Sequence, residues 1–170
     1  MAFGISKAMV IPLLVLNFCL YFIAAALAGS ILNRNLDANI GADGNNVPIG
    51  NVVTPVFIPV TLIACMVGLA SCLAGLHHIR TWRMESLAAA AATALIAWLL
   101  TLLAMGLAAK EIHTRYGRSK RMKTVEAFMI ITALTELLYL LSLYAGKVTR
   151  EGYATTPANP KYGTPAATAV

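Results

Sequence analysis

Glu136 interrupts the apolar run Ala127 to Gly146, 20 residues that carry no other charge. Near the middle of such a run an ionised carboxylate costs about 3 kcal/mol or more unless it is paired or watered, so a low dielectric favours the neutral acid. Thr132 and Tyr139 lie one helical turn away on the same face, and Asn17 falls at comparable depth in the first apolar run. Two chemistries fit this arrangement. As a functional group the acid exchanges a proton or meets a substrate; as a structural group it stays neutral and ties helices together through hydrogen bonds to Asn17 or Thr135.

A carboxylate-bearing substrate would also need a cation, and Arg80, Arg83 and Lys110 are the candidates, by charge-assisted hydrogen bonding. The other reactive side chains are less organised. His77 and His78 are adjacent, so a helix points them to different sides, and with His113 they find no carboxylate or thiolate spacing that would complete a metal site. Asp37, Asn39 and Asp43 resemble the start of a calcium loop, yet the required sixth-position glycine is Ala42 and no closing acid follows. Cys19, Cys65 and Cys72 all fall within apolar runs and imply no disulfide framework. Phosphate loops, nucleophile elbows and paired catalytic carboxylates are absent from the sequence, which predicts neither an enzyme nor a cofactor.

The elements that must position these groups follow from composition. Of 170 residues 59% are apolar and 12% charged, with mean hydropathy +0.74, an excess that one small soluble core does not hide. Three uncharged stretches, Ala8–Asn33, Val52–Leu76 and Ser86–Ala109, have 26, 25 and 24 residues, and the run around Glu136 is the fourth. About 20 apolar residues cross a bilayer as a helix, the form that satisfies its own backbone there. The reading is an all-α membrane protein, an antiparallel four-transmembrane-helix bundle over residues 1–146. Its spans are approximately 8–32, 52–77, 86–109 and 125–146, followed by a disordered polar tail at 147–170. Small residues at four-residue spacing, Ala64, Gly68 and Cys72 against Thr93, Ala97, Thr101, Ala104 and Ala108, predict where spans two and three meet.

Between the spans, Asn33–Asn51 is rich in Asn, Asp and Gly and reads as a loop. Ser86 is placed to cap the third helix. The link before span four carries Arg115, Arg118, Lys120, Arg121 and Lys123, which are predicted to contact anionic lipid head groups, as is the Arg80 and Arg83 pair. Charge flanking spans, rather than forming a soluble patch, excludes nucleic acid as a partner. The expected partners are the bilayer, its anionic lipids, another copy of the chain or other membrane proteins.

With these residues placed, a family resemblance emerges. The run LAGLHHIRTWRMESLAAAAATALIAWLLTLLAMGLAAKEIH, Leu73 to His113, followed by VEAFMIITALTELLYLLSLYAG, Val125 to Gly146, resembles the plant AWPM family, the abscisic-acid-induced wheat plasma membrane polypeptides. The opening MVIPLLVLNFCLYFIAAALAGSILNRNL is similar to that family's first span, Asn17 included. The resemblance implies a multi-pass plasma-membrane protein of abscisic acid, cold and dehydration responses, with inward movement of abscisic acid as a suggested role. Two features depart from the family pattern: Glu136 stands in TELLY where TQLLY is expected, and RYGRSKRMK lacks the usual glycine and tryptophan pattern. The alternative function is a structural or adaptor tetraspan, which the lack of an inverted repeat or broken mid-span helix favours.

The two sides of the bilayer carry six and seven Lys and Arg residues, so charge bias alone does not orient the chain; we read both termini as cytoplasmic. A tag on the C-terminus should then resist protease added outside sealed cells, and cleavage of that tag would reverse the orientation.

Overall fold

In a computed structural model, residues 5–40, 50–81, 84–114 and 117–154 are described. They form four helices, α1 (Ile5–Ile40), α2 (Thr54–Thr81), α3 (Met84–Thr114) and α4 (Lys120–Ala154). All four are long and apolar enough to cross a membrane. At 1.5 Å per residue the 28 residues of α2 extend about 42 Å, more than a hydrocarbon layer of about 30 Å, so the helix ends reach the head-group region. Large apolar side chains such as Phe22, Met66, Leu73 and Leu134 face outward, whereas Asn17, Thr61, Ser71 and Glu136 are buried. That inversion of the soluble pattern suits a lipid solvent.

The helices form an antiparallel ring in which each packs on the next, α1 on α2, α2 on α3, α3 on α4 and α4 on α1, with the α2 and α3 contact the most extensive. Helix boundaries depart from expectation at both long ends. α1 continues through Ile40, well into the expected loop, because no glycine or proline interrupts it between Gly29 and Gly41 and Asn33 bonds Asp37 one turn on, Nδ2 to Oδ2 at 3.2 Å. α4 runs on to Ala154, past the expected boundary at 146, in a stretch with no proline before Pro157. Residues 155–170 of the expected tail lie outside the described residues, as do Arg83, Arg115 and Asp43.

Capping also differs from expectation. Ser86 lies inside α3, which opens at Met84, and its hydroxyl shares a 2.9 Å hydrogen bond with Nδ1 of the buried His78. The serine that caps is Ser119, whose Oγ accepts from the Met122 N–H at 3.2 Å ahead of α4. Asn51 caps α2, its Oδ1 accepting from the Val53 N–H while Thr54 Oγ1 accepts from the Asn51 N–H, both at 2.8 Å.

The small-residue faces do more than bring α2 against α3. Ala64 and Cys72 are buried as expected, with Ala97, Thr101, Ala104 and Ala108 opposite, but Thr93 is half-buried and bonds its own helix at Ala89 O and Ala90 O, leaving Ala90 and Ala94 to extend the buried stripe. Gly68 and Gly75 serve other neighbours. A Cβ on Gly68 would strike the Tyr21 ring of α1, and one on Gly75 would strike the Tyr139 hydroxyl of α4 and Leu14 of α1. Each glycine is a notch for an aromatic ring that crosses the bundle centre. Gly68→Val should therefore lower stability in detergent by about 1 to 3 kcal/mol through overpacking, and the added Tyr21→Ala should recover part of that loss. Additive losses in the double variant would show that the ring and the notch do not interact.

Candidate functional site

Glu136 sits on the buried stripe of α4, completely enclosed, about 24 Å along the helix from Lys120. Two other helices reach it. Asn17 of α1 donates from Nδ2 to Oε2 at 2.7 Å, and Ser71 of α2 donates from Oγ to Oε1 at 3.2 Å. Both partners are fully buried. Ser71 lies about 15 Å along α2 from Thr81, which sets the node near half-depth in a layer of about 30 Å. Hydrophobic clusters flank it, with Tyr21, Cys65, Ala104 and Met129 on the loop side and Leu14, Ala90, Ala94 and Tyr139 on the terminal side.

The expected partner Asn17 is in place, and the carboxylate's other oxygen takes Ser71, which residue spacing alone had not singled out. Thr132 and Tyr139 are buried beside the node, but neither hydroxyl bonds Glu136, and Thr132 Oγ1 and Tyr139 Oη have no hydrogen-bond partner. Each oxygen of Glu136 accepts instead from another helix, and the Tyr139 ring turns toward the Gly75 notch. Thr135 Oγ1 donates back to Thr132 O at 3.3 Å. One further cross-bundle bond, 2.9 Å between the Tyr21 and Thr101 hydroxyls, ties α1 to α3.

The cations stand apart from the acid. Arg80 is exposed near the end of α2, nine residues beyond Ser71, and Lys110 is exposed toward the opposite end of the bundle on α3. Neither belongs to the node; each marks one mouth of the bundle. Among the residues expected at lipid head groups, Lys120, Arg121 and Lys123 are exposed, and Arg121 also donates to Ser30 Oγ of α1 at 2.8 Å. Arg118 behaves differently. Its guanidinium forks onto the buried carboxylate of Glu126, Nε to Oε1 at 3.0 Å and a second arm onto Oε2, because a buried acid captures the nearest bidentate donor. Glu126 holds the Arg118 guanidinium above its ordinary range, against a smaller opposing effect of burial. A raised arginine pKa places loss of the pair above the usual arginine range, so alkaline conditions short of that leave the arginine charged.

A second polar cluster at this end lies outside the residues marked by charge-free runs. Glu111 of α3 is fully buried and accepts from Thr54 Oγ1 of α2 at 2.6 Å. Glu111 and Glu126 border the apolar runs and read as flanking charge, yet a helical signal was present. Glu111 continues the Ala104 and Ala108 stripe, and Glu126 shares the face of Met129, Ala133 and Glu136, all buried. Among the described residues no group of three His, Cys, Asp or Glu side chains is arranged to hold a metal ion.

Comparison with known proteins places the chain among plant membrane proteins. A family model described as AWPM-19-like matches residues 15–146. The rice protein named Membrane protein PM19L is 46% identical over 143 residues, covering 84% of this chain and 81% of the relative. No solved structure matches the chain.

The node predicts an asymmetry between its members. Asn17→Leu should destabilise the protein by about 1 to 3 kcal/mol, since it strips a buried acid oxygen of its donor, whereas Glu136→Gln should cost less because an amide still accepts from Ser71. Thermal unfolding of the two variants in the same detergent measures the difference, and no loss with Asn17→Leu would show that the hydrogen bond to Asn17 contributes nothing.

Proposed function

The chain belongs to the AWPM-19-like family of membrane proteins, and on that premise we propose that it moves a small weak acid, of the abscisic acid class implied by the sequence resemblance, inward across the plant plasma membrane. In this reading its termini are cytoplasmic and it serves cold and dehydration responses. The action makes and breaks no covalent bond. The observation that carries the proposal is the buried Glu136, held at half-depth by donors from two other helices despite the desolvation its carboxyl must meet.

A weak acid is mostly an anion in neutral cytoplasm and partly neutral in an acidic wall space. The exposed Arg80 and Lys110, at opposite mouths, are suited to meet the anionic form by charge-assisted hydrogen bonds. Glu136 is suited to exchange hydrogen bonds with the neutral form, because Asn17 and Ser71 present donors and Thr132 and Tyr139 keep unpartnered hydroxyls beside it. Passage then requires the Tyr21 and Tyr139 rings to leave their glycine notches.

That requirement also favours the second reading, a non-transporting adaptor tetraspan. Both rings are buried and closely packed, while an outward apolar groove of about 410 Å³ lies between α3 and α4, bordered by Leu87, Ala91, Leu95, Leu143 and Tyr144. Such a groove suits a neighbouring helix, from another copy or another membrane protein.

Uptake of labelled abscisic acid into liposomes, with the outer medium made acidic, separates the two readings. Transport predicts uptake above empty liposomes and at least a tenfold fall with Glu136→Gln, equivalent to about 1.4 kcal/mol in barrier height. Equal rates with protein, without protein and with the variant would sink transport and leave the adaptor.

A further inference from the structure

Among the described residues, the loop end of the bundle holds two buried acids, one of them paired with the Arg118 guanidinium. Glu111 is 0% exposed and Glu126 1%, while Arg118 directs two N–H groups at Glu126. Glu126 and Arg118 both lie within Coulombic reach of Glu111, with opposite effects on its charge. If both acids were ionised, this cluster would carry one negative charge too many in a place that water does not reach.

The hydrogen bonds show where that excess falls. Both carboxylate oxygens of Glu126 are taken by the Arg118 fork. Glu111 Oε1 accepts from Thr54 Oγ1 at 2.6 Å, but Glu111 Oε2 is buried without any partner. An ionised carboxylate needs donors at both oxygens when buried, whereas a protonated one needs a donor only at its carbonyl oxygen and carries no charge to desolvate. Among the described residues no other cation faces Glu111. Lys110 and His113 on its own helix, Lys120 and Lys123 on α4, and Arg34 and Asp37 on α1 are all exposed.

We propose that this end of the bundle contains a second proton-binding site, with Glu111 carrying the proton and Thr54, Glu126 and Arg118 setting its surroundings. The proton resides on Oε2, while Oε1 keeps the Thr54 hydroxyl. The cluster is then neutral, with Glu126 and Arg118 as an ion pair and Glu111 as a neutral acid. Exchange with the aqueous side is short, because the site lies directly beneath the half-buried Gly50 and Asn51, whose Nδ2 reaches the Glu111 carbonyl at 3.5 Å, and beside the exposed Gly117 turn. On the inner side Thr61 follows Thr54 by seven residues on the same face of α2, and its hydroxyl is buried without a partner.

The site goes beyond the transport reading, since a bundle that carries no weak acid would still hold this proton. Infrared spectra of the full-length protein in detergent at neutral pH test it through the carbonyl stretch of buried protonated carboxyl groups. Part of that band, the Glu111 component, should disappear with Glu111→Gln and persist with Glu136→Gln. Thr54→Val should shift its frequency, because one hydrogen bond to the group is lost. Glu126→Gln should abolish the same component although Glu111 is still present, since the freed Arg118 then pairs with an ionised Glu111. A band that survives Glu111→Gln unchanged, or one that neither Thr54→Val nor Glu126→Gln alters, overturns the proposal. Should Glu111→Gln fail to fold, those last two variants still decide it.

Discussion

Three helices are joined at Glu136, and the rest of the bundle is arranged around the need to satisfy that carboxyl away from water. Lipid offers no hydrogen bonds, so a carboxyl at this depth must find its partners inside the protein. Asn17 and Ser71 supply them from α1 and α2, which fixes the rotation of both helices about their own axes. A turn of either helix away from α4 would leave the acid bare. Apolar clusters pack on both sides of the node.

Packing around the node trades closeness for room to move. Gly68 and Gly75 remove two Cβ atoms so that Tyr21 and Tyr139 can lie across the bundle centre. Small residues in membrane helices usually let backbones approach; here they also admit rings. Tyr21 further bonds Thr101, so α1 is tied to α3 across the ring of helices although these two are not ring neighbours. The same two tyrosines that stabilise the interior are the obstacles to anything passing through it, and the functional alternatives differ chiefly in whether those rings move.

The loop end shows how charge near a membrane boundary is divided between protein and lipid. Lys120 and Lys123 point outward and remain available to head groups, Arg121 divides its surface position with a hydrogen bond to Ser30, and Arg118 is withdrawn to Glu126. Arginine rather than lysine suits that inward role, since its planar fork meets both carboxylate oxygens at once. Gly117, at φ 73°, makes the turn that brings Arg118 round, and the Gly50 carbonyl occupies the place a side chain at Gly117 would take. The first loop and the last link are thereby packed on one another.

Length and polarity were sufficient to establish four spans and their antiparallel order, because the cost of an unsatisfied backbone in lipid admits almost no other structure for apolar runs of 20 residues or more with at most one charge. The same cost made Glu136 conspicuous and Asn17 its natural partner. Helix ends were less legible: nothing in the charge pattern marks where α1 stops at Ile40 or α4 continues to Ala154, since a helix can extend beyond the hydrocarbon into polar sequence. Tertiary structure alone decided that Ser71 takes the second oxygen of Glu136, that the glycines face tyrosines, and that Glu111 and Glu126 turn inward. Those outcomes depend on how four helices rotate against each other, and single-helix periodicity specifies which residues share a face but not which neighbour that face will meet.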